Sequence, residues 1–378
     1  MNFTLSDDQQ AIRETARRYA MDKLLPGLRE REETMAGQGE MPSLSRERAG
    51  LFEMGFGGML LSEDEGGLGL DHLSFSLALE EISRVDPAMG QLLSNHNAIG
   101  VCWMSHAVPR LKEAWLKRLA TGQALASWVR MDDLREPLKA SPHPRGYVLN
   151  GVKRMVTAGA IGDLLLVNAD LEGRRVVLTL PAFSEGVTQE WEPKSLGLRG
   201  AGIGRLLFRD AVVDEDARLD SLLSGKALMI LRATASLGWA SVALGICEGA
   251  AELARSYAAQ REQFGRTIDR FEAVRFKLAD MLLKAEATRS LAWRAAAAAD
   301  AGQPTEFARL ADLARLQGAE GASFCGRECV QIHGGYGYSR EYHAERFMRD
   351  SRGMELVGGG VENLRESIAE RWIGEASV

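Results

Sequence analysis

The spacing of apolar residues divides the chain into three stretches with different periods. From Ser6 to about Gly122 apolar positions recur at helical spacing, most clearly over Asp71 to Ser83 and Arg110 to Ala120. Ser6-Asp7-Asp8 ahead of the first run reads as an N-cap followed by acidic first-turn residues, which suit the positive end of a helix. Ser62 to Gly67 breaks the pattern as a loop. From about Leu125 to Arg218 the period shortens. Gly146-Tyr147-Val148-Leu149-Asn150-Gly151 reads as a strand ending in a turn, because Asn-Gly supplies the positive φ angles of tight turns. Asp163 to Asn168, Arg175 to Leu180 and Leu206 to Val213 are further runs of strand length. From about Lys226 the chain is helical again and rich in alanine. Ala227 to Gln260, Phe271 to Ala299 and Glu306 to Ile332 each predict one long helix, with Pro304 in a short polar linker.

The expected fold is therefore α+β in three parts: an N-terminal α-helical domain over 1–122, a middle β domain over 123–225, and a C-terminal four-helix-bundle domain over 226–378. With 46% apolar and 26% charged residues, the composition is that of an ordinary globular protein. A net charge of -6 argues against a nucleic-acid partner held by phosphate neutralisation. The start MNFTLSDDQQ has neither a basic n-region nor an apolar h-region, and no run of 18 apolar residues occurs, so the expectation is a cytoplasmic chain that spans no membrane. Four cysteines make no disulfide framework. Cys325, Cys329 and His333 would share one helix face, but residues spread over about 12 Å of a straight helix do not wrap one ion. They read as packed side chains, with no metal expected.

Two longer motifs carry chemistry. The first is Arg261-Glu262-Gln263-Phe264-Gly265-Arg266-Thr267-Ile268, followed by Phe271 and by Leu278 to Met281. The second is Gln331-Ile332-His333-Gly334-Gly335-Tyr336-Gly337-Tyr338, followed by Arg349-Asp350. With Glu65 to Gly69 and Ser94-Asn95-His96-Asn97, they resemble the acyl-CoA dehydrogenase family over nearly the whole chain, and Gly245 and Tyr257 fall where that family's pattern has them. The resemblance implies FAD as cofactor and an acyl thioester as substrate, carried on CoA or on a carrier protein. It also implies an electron-transfer flavoprotein as a partner and a homodimer or homotetramer. By the same resemblance Arg261 reaches the pyrophosphate of a neighbouring subunit's FAD, a task for which a guanidinium fork is suited. Phe264, Gly265, Gln331, Gly334 and Gly335 would complete that end, while Thr157 would touch the flavin ring and Met155 would stand where the family has a tryptophan.

The substrate half departs from the family. Its usual catalytic glutamate would fall at Gly358, nine residues after Arg349, or in the family's other arrangement at Ala235, 26 residues before Arg261. Neither is acidic, and Gly360 replaces a threonine. The Val129 to Pro137 stretch lacks the family's Thr-Glu-Pro loop, and Glu272 replaces a glutamine. Glu355 and His96 are weak substitutes for the base. Glu362 reads as a solvated or capping residue, so the sequence assigns no base. A carboxylate restored at Gly358 is expected to point at the substrate's α carbon. Three functions compete: a thioester dehydrogenase with a displaced base, other flavin chemistry on the same fold (ring closure, reduction or alcohol oxidation), and a catalytically silent flavoprotein subunit.

Overall fold

The computed structural model describes residues 4–37, 45–129, 138–192 and 195–375. Its first part is helical: α1 (Asp7–Tyr19), α2 (Leu28–Gly37), α3 (Ser45–Glu53), α4 (His72–Val85), α5 (Pro87–Asn95), α6 (Cys102–Met104) and α7 (Pro109–Ala120). The cap expected at Ser6 forms as a reciprocal pair. Ser6 Oγ accepts from Gln9 N at 3.2 Å, and Gln9 Oε1 accepts from Ser6 N at 3.0 Å. Asp71 caps α4 by accepting from Ser74 N at 2.6 Å.

The middle part is a sheet of β1 (Ala126–Val129), β2 (Lys139–His143), β3 (Gly146–Val156), β4 (Leu164–Leu171), β5 (Arg174–Pro181), β6 (Val187–Trp191) and β7 (Gly204–Asp214). The strands lie in the order β1-β4-β2-β3-β7-β6, and β5 pairs with β4. Here the structure corrects the sequence reading. Asn150-Gly151 does not end a strand, because β3 continues to Val156 and its register against β7 shifts between Leu149 and Gly151. Asn150 Nδ2 donates to Asp210 Oδ1 at 3.0 Å, and Asp210 N donates to Asn150 Oδ1 at 2.9 Å. The dipeptide that could have made a turn is thus fixed as a bulge by the neighbouring strand. The extension beyond it brings Lys153 to Thr157 to the functional site.

The third part holds α8 (Gly225–Gln260), the small hairpin β8 (Glu262–Gln263) and β9 (Arg266–Thr267), and α9 (Glu272–Asp300). It continues with α10 (Pro304–His333), α11 (Gly335–Tyr338), α12 (Ala344–Leu356) and α13 (Gly360–Glu375). Pro304 is not in a linker but opens α10, where its missing N–H costs no hydrogen bond. By length and composition α8 could cross a bilayer, with a window of mean hydropathy 1.5, yet 72% of that window is buried inside the protein. It is the central core helix, packed against α4, α5, α9, α10 and α12. Gly245 shows how close that packing is. A Cβ there would stand 2.6 Å from Ser83 Cβ and 2.8 Å from Arg84 N, so a larger residue would push α4 away. The architecture is the expected one, helical, β and helical in turn.

Candidate functional site

A cavity of about 770 Å³ opens between the end of β3, β7, α5, α8, the Leu196–Leu198 loop and the turn joining α12 to α13. Its size is that of a small-molecule site. Val152 to Thr157 line one wall, with Met155 in the left-handed region at φ 54. Opposite them, Arg349-Asp350 fastens the Leu196–Leu198 loop. Arg349 donates to Leu196 O at 3.1 Å, and the Asp350 carboxylate accepts from Leu198 N at 2.7 Å. That bond helps hold Leu198 in its own left-handed conformation, φ 53. Asp350 is fully enclosed, and burial pushes its carboxyl up to about 6 against the opposing pull of Arg346.

The turn between α12 and α13 is built from Gly358, Gly359 and Gly360, all at positive φ (66, 93 and 83) and all lining the cavity. Any side chain would be strained at each. At Gly358 it would also lack room. A Cβ would stand 2.6 Å from Arg315 Cζ and closer still to the Trp239 ring. Arg315 donates to Val357 O and lies 4.6 Å over the centroid of Trp239, whose other neighbour is Trp128, stacked at 5.7 Å and 15°. The expectation that a carboxylate at Gly358 would project freely toward a substrate is therefore corrected: an indole and a guanidinium occupy that direction. Ala235 is buried within α8 and does not line the cavity, whereas Trp239, one turn further on, does.

The substitute bases sort differently from their sequence ranking. His96 is fully buried and absent from the cavity wall. Its Nε2 donates to Leu119 O at 3.0 Å and its Nδ1 accepts from Ala126 N at 3.1 Å, so both nitrogens are spent joining α7 to β1. Burial lowers its pKa to about 4, and it is a neutral structural bridge, not a base. Glu355 turns away from the cavity, accepting from Ser323 Oγ at 2.5 Å and from Arg352 Nη1 at 2.8 Å. Glu362, discounted from sequence, is the only carboxylate on the cavity wall among the described residues. Its Oε2 lies 3.5 Å from where a Cβ on Gly360 would stand, its side chain is 82% exposed, and Arg365 sits 3.7 Å from its other oxygen.

Three residues that sequence reasoning missed form the buried end: Gln91 and Asn95 on α5, with Trp239. Trp239 Nε1 donates to Asn95 Oδ1 at 2.9 Å. The only signal was that Asn95 stands inside Ser94-Asn95-His96-Asn97. Asn97 ties Phe56, Met59 and Leu93 together, and His96 bridges α7 and β1, so Asn95 alone of the four lines the cavity.

The expected cofactor residues lie in two places. Thr157 and Met155 line the cavity; Arg261, Phe264, Gly265, Gln331, Gly334 and Gly335 do not. Those six gather around the β8–β9 hairpin and the end of α10. Arg261 lies 5.5 Å over the Tyr336 ring, beside Tyr257 stacked on His333 at 4.2 Å. Phe264 is 93% exposed, and nothing stands within 4 Å of a Cβ built at Gly265, Gly334 or Gly335. His333 Nδ1 donates to Cys329 O at 2.8 Å, and burial raises the Cys329 thiol to about 12. Glu272 is the first residue of α9, where the helix dipole favours a negative charge over the family's glutamine. The altered stretch at 130–137 lies outside the described residues.

A family model described as acyl-CoA dehydrogenase, N-terminal domain, matches residues 6–123, and one described as acyl-CoA dehydrogenase, C-terminal domain, matches residues 228–373. The chain is 30% identical to the probable acyl-CoA dehydrogenase YngJ of Bacillus subtilis (strain 168), covering 98% of this chain and 99% of that one. It is also 30% identical to 3-sulfinopropanoyl-CoA desulfinase of Paraburkholderia xenovorans (strain LB400), covering 99% and 98%. Among solved structures it resembles acyl-CoA dehydrogenase complexed with FAD from Bacillus anthracis. That match has a TM-score of 0.86 and 26% identity, over 99% of this chain and 67% of the other.

Proposed function

The chain belongs to the acyl-CoA dehydrogenase family, and on that premise we propose that it is an FAD-dependent oxidoreductase acting on an acyl thioester without the family's standard carboxylate. The observation that carries the second half of this reading is the filled space at Gly358, where Trp239 and Arg315 stand in the direction a side chain would take.

The residues present fit the cofactor. Thr157, Met155 and the glycine turn line a cavity whose wall also carries Lys153, Arg154, Arg205 and Arg352, a cationic setting for phosphates. The half-buried Arg261 and the exposed Phe264, Gly334 and Gly335 suit the pyrophosphate and adenosine end of a cofactor bound mainly by a second copy, so a homodimer or a dimer of dimers is part of this reading. FAD supplies a hydride acceptor. The chain's own residues do the rest. The Gly358 N–H polarises the thioester oxygen, a role a glycine performs as well as any residue. Glu362 takes the α proton as the β hydrogen leaves with its electron pair, giving an α,β-unsaturated thioester. An electron-transfer flavoprotein is the electron acceptor this reading assigns.

A second reading has its own support. One relative is named for desulfination rather than dehydrogenation, so a thioester enzyme of this family can carry a different activity. Anaerobic titration of the FAD-loaded protein with a panel of acyl-CoAs separates the two. Bleaching of the oxidised flavin's visible absorbance, with an enoyl thioester formed, supports dehydrogenation. An unchanged spectrum with a product formed supports redox-neutral chemistry. Neither signal across the panel would leave a silent flavoprotein.

A further inference from the structure

The turn that carries the Gly358 N–H has little power to fix its own direction. Gly358, Gly359 and Gly360 have no side chains and all sit at positive φ, and glycine has the widest range of backbone angles of any residue. Two side chains hold the turn from outside. Asn363 Nδ2 donates to Gly359 O at 2.7 Å, and the Arg315 guanidinium donates to Val357 O. Arg315 is itself held firmly. It is 6% exposed, and its guanidinium lies 4.6 Å over the centroid of the Trp239 ring, whose Nε1 donates to Asn95 Oδ1 at 2.9 Å.

The bond to Val357 O acts on the other end of the same peptide. That peptide is trans, so the Gly358 N–H points away from the Val357 carbonyl and from the guanidinium beyond it. Gly358 lines the cavity and Arg315 does not. We propose that Arg315 is a positioning residue for the thioester oxygen: by donating to Val357 O it aims the Gly358 N–H and makes it a stronger donor. The inference rests on the reading that this N–H polarises an acyl thioester. A cation on the carbonyl oxygen draws electron density from the amide nitrogen, as linked hydrogen bonds polarise one another. The charge is buried and weakly screened, so it also favours the negative charge that gathers on the thioester oxygen as the α proton leaves. A guanidinium suits the place because its flat face stacks on the indole while its edge donates.

The test is the ionisation of bound acetoacetyl-CoA, a thioester whose acidic α proton leaves without hydride transfer and whose enolate places charge on the thioester oxygen. It is followed anaerobically in the FAD-loaded protein across pH, from the enolate absorbance and its charge-transfer band with oxidised flavin. In Arg315→Gln, which keeps a donor without the charge, the ionised fraction at a pH below the native midpoint should fall about 10- to 100-fold. Arg315→Met serves if the glutamine variant fails to take up FAD. Arg315→Lys restores the charge and should recover most of the loss. Binding of butyryl-CoA, whose oxygen stays neutral, should change much less. Equal ionisation in the native and neutral variants would overturn the inference while leaving the thioester reading intact. So would a lysine variant as impaired as the neutral ones, or a matching loss of butyryl-CoA binding. Failure of all three variants to take up FAD would make Arg315 a structural residue and overturn it too. If acetoacetyl-CoA leaves the native flavin spectrum unchanged, this inference and the functional reading fall together.

Discussion

The end around Arg261 and the cavity wall around Gly358 are both made largely of glycine, arginine and aromatic residues, yet they differ in the room they leave for a side chain. At the first, Phe264, Gly265, Gln331, Gly334 and Gly335 are exposed, Arg261 lies half-buried over the Tyr336 ring, and nothing stands within 4 Å of a Cβ at any of the three glycines. At the second, a Cβ on Gly358 would enter a space that Trp239 and Arg315 occupy. On the proposed reading the first site holds phosphate through backbone and one guanidinium, which leaves little room for substitution. A site that binds by shape can be rebuilt by residues far away in sequence. On the proposed reading, the position of the missing glutamate is a filled one rather than a vacancy.

Breaking the second region should have the largest effect. Glu362→Gln should slow flavin bleaching by an acyl-CoA substrate by about 10²–10⁴, the usual worth of a positioned base. Stopped-flow absorbance checks it, and an unchanged rate would remove Glu362 from the reaction. Next comes Gly358→Glu. Positive φ costs a non-glycine residue roughly 1–2 kcal/mol and overpacking about 1–3 more, so a loss of about 2–5 kcal/mol is expected without any gain in dehydrogenation. Denaturant unfolding and an acyl-CoA assay would show it. A stable, faster variant would mean that Trp239 and Arg315 yield easily.

The first region should respond in binding instead. Arg261→Ala should weaken FAD by about 1.5–3 kcal/mol, measured by ultrafiltration of released flavin, because one charge-assisted contact is lost. A protein that retains FAD as tightly would separate Arg261 from the pyrophosphate.

The smallest effect concerns His96, outside both regions. Its pKa falls from 6.5 in the unfolded chain to about 4 when folded, so the unfolded state binds the extra proton between those values. Its contribution is intact above pH 6.5 and is lost as pH falls toward 4. Lowering the pH from 7 to 5.5 should cost about 1 kcal/mol through this residue. Asp350, raised to about 6, opposes it in part of the same range. The comparison with His96→Gln isolates the term: that variant, weaker at pH 7, should show a shallower fall in thermal midpoint.

What the sequence disclosed follows the same division. Apolar period located the long helices, and the first motif located Arg261, because both depend on neighbours along the chain. The Asn150-Gly151 turn was misread since its fate was decided by Asp210 on another strand. Apart from Met155, Thr157 and the Gly358 turn, the cavity wall was illegible for a related reason. Gln91, Trp128, Trp239 and Glu362 come from four separate elements, and nothing local marks Trp239 as the residue that fills the place beside Gly358. His96 was a candidate and its neighbour Asn95 was not, and only helix rotation decided which of the two met the cavity.

The central claim is that a thioester's α proton leaves to a carboxylate other than the standard one. The FAD-loaded protein can be incubated anaerobically in D2O with a bound acyl-CoA, and deuterium at the α carbon followed by mass spectrometry. The account predicts enzyme-dependent exchange in the native protein and its near-complete loss in Glu362→Gln. Equal exchange in both proteins, or none in either while the thioester is bound, would contradict it.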